Sequence, residues 1–339
     1  MIHKLNHGFP SGHVAFDLQE HVTDCLWNHY FSDIKSGIIV NITYRFDASV
    51  ALITTLVQEQ RVDAVLFLHL VDHMNGADAA EIATLIALFD TMGIKHQVTG
   101  YTHGHYFPNV DYFDFWALYM DQNFKSYQLR EMIRTKITNT YLCYNRKPHP
   151  HRIELYDKFS EHGLLEHGIY TLGVPVPGSG HDHPHGVQTY DNNDTHHEHL
   201  GDTGYGIAGT TLNVGNDYAW ESSLLNIVTE TNRDCTAHIP FITEKTYKPI
   251  LAFRPFIVYG DAGISQYLIS NGYQTFNQYF GVSDFPEADE LICAVKRLQY
   301  QDLDALFLEL KPMMLHNYDN FHSHVDRIIT KFSITGLTK

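Results

Sequence analysis

The sequence predicts an α/β protein with two Rossmann-like parallel-sheet domains facing a cleft. Three observations predict it. The chain has 339 residues, room for about two domains at roughly 150 residues each. Short apolar, β-branched runs alternate twice with segments of helical spacing, which is the pattern of parallel sheets covered on both faces. Hydrophobic residues make up 44% and charged residues 18%, a balance that supports buried cores and excludes long-range disorder.

The first alternation opens at Ser36. Gly37 to Thr43 (GIIVNIT) reads as a buried strand. Ala48 to Gln60 follows as a helix, with Val50, Ile53, Leu56 and Val57 on one face. Val62 to Leu70 (VDAVLFLHL) is the next strand. Asp78 to Met92 sets Ile82, Leu85, Ile86 and Phe89 at helical spacing, and Gly93 ends it. Residues 1 to 138 are expected to form this domain.

The second alternation begins with the strand Thr140 to Asn145 and the helix His151 to Glu161. Ile169 to Leu172, Leu224 to Thr229 and Pro255 to Gly260 read as further strands. Helices are expected near Glu244, from Gly263 to Ser270, from Glu287 to Tyr300, from Asp302 to Leu310, and from Asp319 to Phe332. This domain spans residues 139 to 315, and residues 316 to 339 are expected to cross back to the first domain. An insertion rich in Gly, Pro, Asp and His covers about 174 to 209. It lies in a stretch of 74 residues, Phe159 to Asn232, with no Lys or Arg.

The formal charge is −16, from 39 acidic and 23 basic residues. Such a surface repels phosphate backbones and disfavours nucleic acid as the main partner. There are 24 histidines, and protonating all of them would carry the charge from −16 to +8. The four cysteines (Cys25, Cys143, Cys235, Cys293) are widely spaced, against a disulfide scaffold and in keeping with a reducing compartment. The first residues lack an apolar signal core, and no apolar run reaches the roughly 18 residues of a membrane span. The expected location is therefore cytoplasmic.

Ser223 to Tyr259 carries the most chemistry. A strand ends at Thr229-Glu230-Thr231-Asn232, and a short connection leads to Thr243-Glu244-Lys245, where a helix opens. Ligands of parallel sheets bind beyond the carboxyl ends of the strands, where loops meet helix N-termini. A helix N-terminus suits a phosphate, and Lys245 adds a full positive charge. Thr243 has the chemistry of an N-cap, and Glu244 can accept hydrogen bonds from ribose hydroxyls. A solvated Glu-Lys pair is the alternative. Pro249, past the first turn, must kink or shorten this helix.

Ile239-Pro240-Phe241-Ile242-Thr243-Glu244-Lys245, some dozen residues after Glu230 and Asn232, resembles the donor-site signature of α1,3-fucosyltransferase-like glycosyltransferases. There a phenylalanine-glutamate-asparagine segment precedes tyrosine-valine-threonine-glutamate-lysine; here Thr231 stands between Glu230 and Asn232. Pro255-Phe256-Ile257-Val258 is similar to the strand that follows. Upstream, Tyr144-Asn145-Arg146-Lys147-Pro148-His149-Pro150-His151-Arg152, with Leu155 and Gly173, resembles the entry to that family's donor domain. Arg152 falls on the family's arginine, with Arg146 as a second choice. The resemblance covers about residues 140 to 275.

It implies a glycosyltransferase of the GT-B kind, whose second domain holds a nucleotide-diphosphate sugar (a GDP- or UDP-sugar, GDP-fucose in the family). The acceptor is a glycan or another hydroxyl-bearing molecule. Arg152 and Lys245 would neutralise the diphosphate leaving group, Glu244 would bind the ribose, and no permanent cofactor or obligatory metal is implied. Glu230, Asn232 and Thr243 complete the donor-binding set.

Inverting transfer also needs a general base. Asp72 and His73, just after the strand Val62 to Leu70, are the choice from position alone, although a polar turn would read the same. Asp47, His103 and His105 are weaker. His181, His183, His185, His196, His197 and His199, with Asp182, Asp194 or Glu198, have the composition of a metal site, and the competing function is a metal-dependent hydrolase. Thr102-His103-Gly104-His105 resembles the opening of the metallo-β-lactamase motif, but Tyr106-Phe107 stand where the rest would fall. The preferred reading of the His-rich segment is a loop closing over a substrate. A nucleotide-sugar binder without catalysis is the third reading. The aromatic density from Tyr101 to Tyr127 is expected to be mostly core.

Overall fold

The computed structural model describes residues 2–5, 14–42, 47–59, 61–69, 76–100, 111–123, 136–145, 148–172, 217–235 and 240–337. The chain divides into two compact units. One comprises Met1–Gln122, Ala237–Phe241 and Val325–Lys339; the other comprises Asn123–Thr236 and Ile242–His324.

The first unit holds a five-stranded sheet: β1 (Ile2–Leu5), β2 (Gly37–Ile42), β3 (Ala64–His69), β4 (Lys95–Gly100) and β5 (Asp111–Tyr112), in that spatial order. Every neighbouring pair is parallel. The connecting helices are α1 (Val14–Phe31), α2 (Asp47–Gln58) and α3 (Gly76–Met92). Ile38, Val40, Val65, Phe67 and Val98 project from one face and pack with Ile53 and Val57 of α2 and with Ile82, Leu85 and Phe89 of α3. The other face carries Ile39, Ala64 and Leu66, also without exposure. Trp27 of α1 covers it, so close to Gly37 that a Cβ there would lie 2.1 Å from the indole. Burial on both faces explains the continuous apolar strands.

A further helix, α4 (Phe115–Asn123), is capped by Asp114, whose carboxylate accepts from the Ala117 N–H at 2.9 Å. Phe113, Phe115, Trp116 and Tyr119 are buried and Tyr112 is half-buried, so the described part of the aromatic density is mostly core, as expected. In the tail of this unit Phe332 packs edge-on against Phe113, and Lys331 pairs with Asp111 at 2.5 Å.

The second unit holds β6 (Asn139–Cys143), β7 (Gly168–Tyr170), β8 (Ser223–Thr229) and β9 (Phe256–Tyr259), all parallel, in the order β7-β6-β8-β9. The order reverses at β6, whose neighbours are the next strand in sequence on one side and the one after it on the other. Helix α5 (Pro150–Glu161) begins with Pro150, where the missing N–H costs nothing. It ends at Gly163 with φ +65°. The remaining helices are α6 (Asp217–Ser222), α7 (Glu244–Leu251), α8 (Ile264–Ser270) and α9 (Ala288–Leu298), and α10 (Leu303–Lys331) begins in this unit while its residues from Val325 on belong to the first. Reciprocal capping by Glu287 and Glu290 starts α9.

Two sequence expectations are corrected. The helices expected at Asp302–Leu310 and Asp319–Phe332 are one 29-residue helix, α10, with Pro312 inside it. Its buried residues Phe307, Leu310, Met314, Tyr318, Phe321, Val325 and Ile328 keep an unbroken three- and four-residue spacing through the proline. That stripe outweighs the roughly 3 kcal/mol an interior proline costs. The elements β1, α1, β4, β5, α4 and α6, absent from the sequence reading, are also present.

Candidate functional site

The reversal of strand order places the carboxyl ends of β6 and β8 side by side, the position at which parallel sheets leave a crevice for ligands. Four of the nominated residues meet there. Arg152, in the first turn of α5, is 2% exposed, and its Nη2 donates to the backbone carbonyls of Thr229 (3.0 Å) and Glu230 (2.9 Å). Burial pushes its guanidinium down to about 10, and the Glu230 carboxylate opposes that shift. At neutral pH it remains a cation.

Glu230 is the first residue after β8 and has no exposed surface. Its Oε1 accepts from the Thr243 N–H (3.0 Å) and the Thr246 hydroxyl (2.6 Å). Its Oε2 accepts from the Thr243 hydroxyl (2.6 Å) and the Thr231 N–H (3.3 Å). Two donors on each oxygen fill the carboxylate's capacity. Glu230 therefore holds the opening turn of α7 in place. The backbone comes close to make this possible: a Cβ on Gly260 would lie 2.9 Å from the Cβ of Glu230.

Thr243 is the N-cap of α7, as expected, and its hydroxyl accepts from the Lys245 N–H at 3.3 Å. Pro249 lies inside this eight-residue helix, which runs on to Leu251 and ends where Phe253 takes a positive φ of 51°. Lys245 is the exposed member of the group, with its side chain 25% accessible. Its Nζ donates to the hydroxyls of Thr243 (2.9 Å) and Thr231 (3.2 Å) and lies 3.8 Å from Glu230 and 3.5 Å from Glu244. The Glu244 side chain is 11% exposed. Asn232 is partly buried in the loop beyond Thr231.

Sequence reasoning missed several partners. Asn145, buried just past β6, accepts through Oδ1 from the Thr229 hydroxyl and so ties β6 to β8. Its N–H donates to the Thr171 hydroxyl at 2.9 Å. His151 Nε2 lies 2.9 Å from the Glu230 carbonyl oxygen. Burial, then the charge of Arg152, pushes this imidazole down to about 4, so it is neutral and donates there. The charges of Arg233 and Lys245 act on it in the same direction. Three cations thus gather around one neutral ring.

Asp72, His73, His103, His105, Arg146 and the histidines from His181 to His199 lie outside the described residues. Asp47 is the first residue of α2. Among the described residues no group of three or more His, Cys, Asp and Glu is placed to hold a metal ion. Among them, too, no helix is long and apolar enough to cross a membrane. Compared with family models, curated proteins and solved structures, the chain matches none.

Proposed function

We propose that the protein is a glycosyltransferase that binds a nucleotide-diphosphate sugar at the carboxyl ends of β6 and β8. The observation that carries this reading is convergence. Arg152 comes from one motif and Glu230, Thr243 and Lys245 from another, some 80 to 90 residues away in sequence, yet they share one hydrogen-bonded cluster at the reversal of the sheet.

The diphosphate sits at the opening of α7, where the helix dipole and the Lys245 ammonium favour negative charge. The buried Arg152 cation lies behind the same turn. Glu244 takes the ribose hydroxyls, and Asn232 belongs to the same donor-binding set. As the bond between the sugar's anomeric carbon and the diphosphate oxygen breaks, its electron pair stays on the diphosphate, and Lys245 stabilises that charge. The acceptor hydroxyl of a glycan or similar molecule attacks the anomeric carbon from the opposite side and inverts it. Its proton passes to a carboxylate base, for which Asp72 is our choice. The donor is a GDP- or UDP-sugar, and the residues named supply the positive charge without an obligatory metal.

The test is release of nucleoside diphosphate from a panel of GDP- and UDP-sugars, with mixed glycan acceptors, by wild type and Lys245→Ala. The reading predicts release from one donor, lowered roughly 100-fold in the variant, as when one charge-stabilising donor is removed. Release from none of the donors would count against it.

A further inference from the structure

Arg233 belongs to neither motif, yet its setting is unusual for a surface cation. Its guanidinium carbon stands 4.4 Å from the ring centre of Tyr259 and 4.2 Å from that of Phe285. Stacking against two rings fixes the plane of the group and leaves its donor edges as the working part. Nη2 donates to the Pro286 carbonyl (3.0 Å) and to Glu287 Oε2 (2.9 Å). Nε finds no acceptor among the described residues. The Glu287 side chain is 65% exposed, so this ion pair is weak and easily exchanged for another anion.

Its position is bounded by the chain. Arg233 lies two residues beyond Thr231, whose hydroxyl touches the Lys245 ammonium. Two residues of chain reach at most about 7 Å. Tyr259, one of its two rings, ends β9, whose C-terminal carbonyl receives the Glu230 N–H at 3.1 Å. The loop is also anchored from below, because the Asp234 N–H donates to Asp261 at 2.8 Å. The backbone of Arg233 thus stays close to Thr231, which Lys245 touches, and the charges of Arg233 and Lys245 both act on the His151 ring.

We propose that Arg233 is the second partly exposed cation of the donor site and recognises the terminal phosphate of a nucleoside diphosphate. This rests on the function proposed above and adds a residue to it. The division of labour follows from exposure: Arg152 is buried against backbone carbonyls, while Arg233 and Lys245 keep side-chain surface of 16% and 25%.

Calorimetric titration of the full chain with UDP, UMP, GDP and GMP tests it, using wild type, Arg233→Ala, Arg233→Lys and Glu287→Gln. The expected result is that Arg233→Ala weakens the preferred diphosphate roughly tenfold or more, the scale of one charge-assisted hydrogen bond. The matching monophosphate should change less than about twofold on the same scale. Arg233→Lys should recover part of the loss, and Glu287→Gln should leave diphosphate binding undiminished. Equal weakening of mono- and diphosphate in Arg233→Ala, matched by Glu287→Gln, would make Arg233 a structural tie and overturn the proposal. Unchanged diphosphate binding in Arg233→Ala would overturn it too, while leaving the donor-site reading intact. Wild type that binds none of the four nucleotides would overturn both.

Discussion

His151 shows how one buried ring reports on its site. It sits at the start of α5 against the Glu230 carbonyl, under the influence of three cations. An unfolded histidine takes a proton near pH 6.5, whereas this one does so only at about 4. Between those values the unfolded state binds one more proton, so stability is lost as pH falls from about 6.5 toward 4. The loss attributable to this residue is at most about 3 kcal/mol. Denaturant midpoints of wild type and His151→Asn, measured from pH 7.5 to 4.5, should show the wild type losing more stability across that window. Parallel curves would contradict the assignment. Glu230 teaches the complementary lesson. A buried carboxylate with four donors is costly to desolvate, and its hydrogen bonds offset that cost. What it contributes is a fixed start for α7.

At the scale of elements, the site depends on β8, α7 and β9 meeting at short range. Gly260 marks the tightest approach: a Cβ there would meet Ile264 at 2.8 Å and Glu230 at 2.9 Å. Gly260→Ala should therefore force the end of β8 away from β9 and destabilise the protein by about 1–3 kcal/mol in urea unfolding, the usual cost of overpacking. An unchanged midpoint would mean that the strand ends yield freely. The elements also show what a sequence makes legible. Strands buried on both faces, such as Ser223–Thr229, announce themselves as apolar runs. Lys95–Gly100 (KHQVTG) does not, because Val98 is its one apolar residue, with Thr99 buried beside it and backbone pairing completing the strand. The gap expected between Leu310 and Asp319 is helical in α10, whose buried stripe runs unbroken past Pro312 over about six turns. In the site, Thr243 as a cap and Lys245 as a cation were legible from a single turn of helix. Asn145, Thr171 and His151 were not, since their roles arise from contacts 26 to 84 residues away.

Across the whole molecule, the two sheets differ in the one property that matters for ligand binding. The order β1-β2-β3-β4-β5 runs in one direction, and β7-β6-β8-β9 reverses. A reversal of strand order is where parallel sheets open a ligand crevice at the strand ends. A chain of net charge −16 gathers Arg152, Arg233 and Lys245 around His151 at that reversal, against its overall field. Composition disfavoured nucleic acid as the main partner, whereas the local placement of these cations suits a small anion. The second unit is accordingly where a nucleotide should act. Hydrogen exchange of the full chain, with and without saturating UDP or GDP, tests this most directly. The account predicts slowed exchange in peptides covering residues 145–152, 229–233 and 240–246, with the β2 and β3 peptides unchanged. Protection confined to the first unit, or none with either nucleotide, would contradict it.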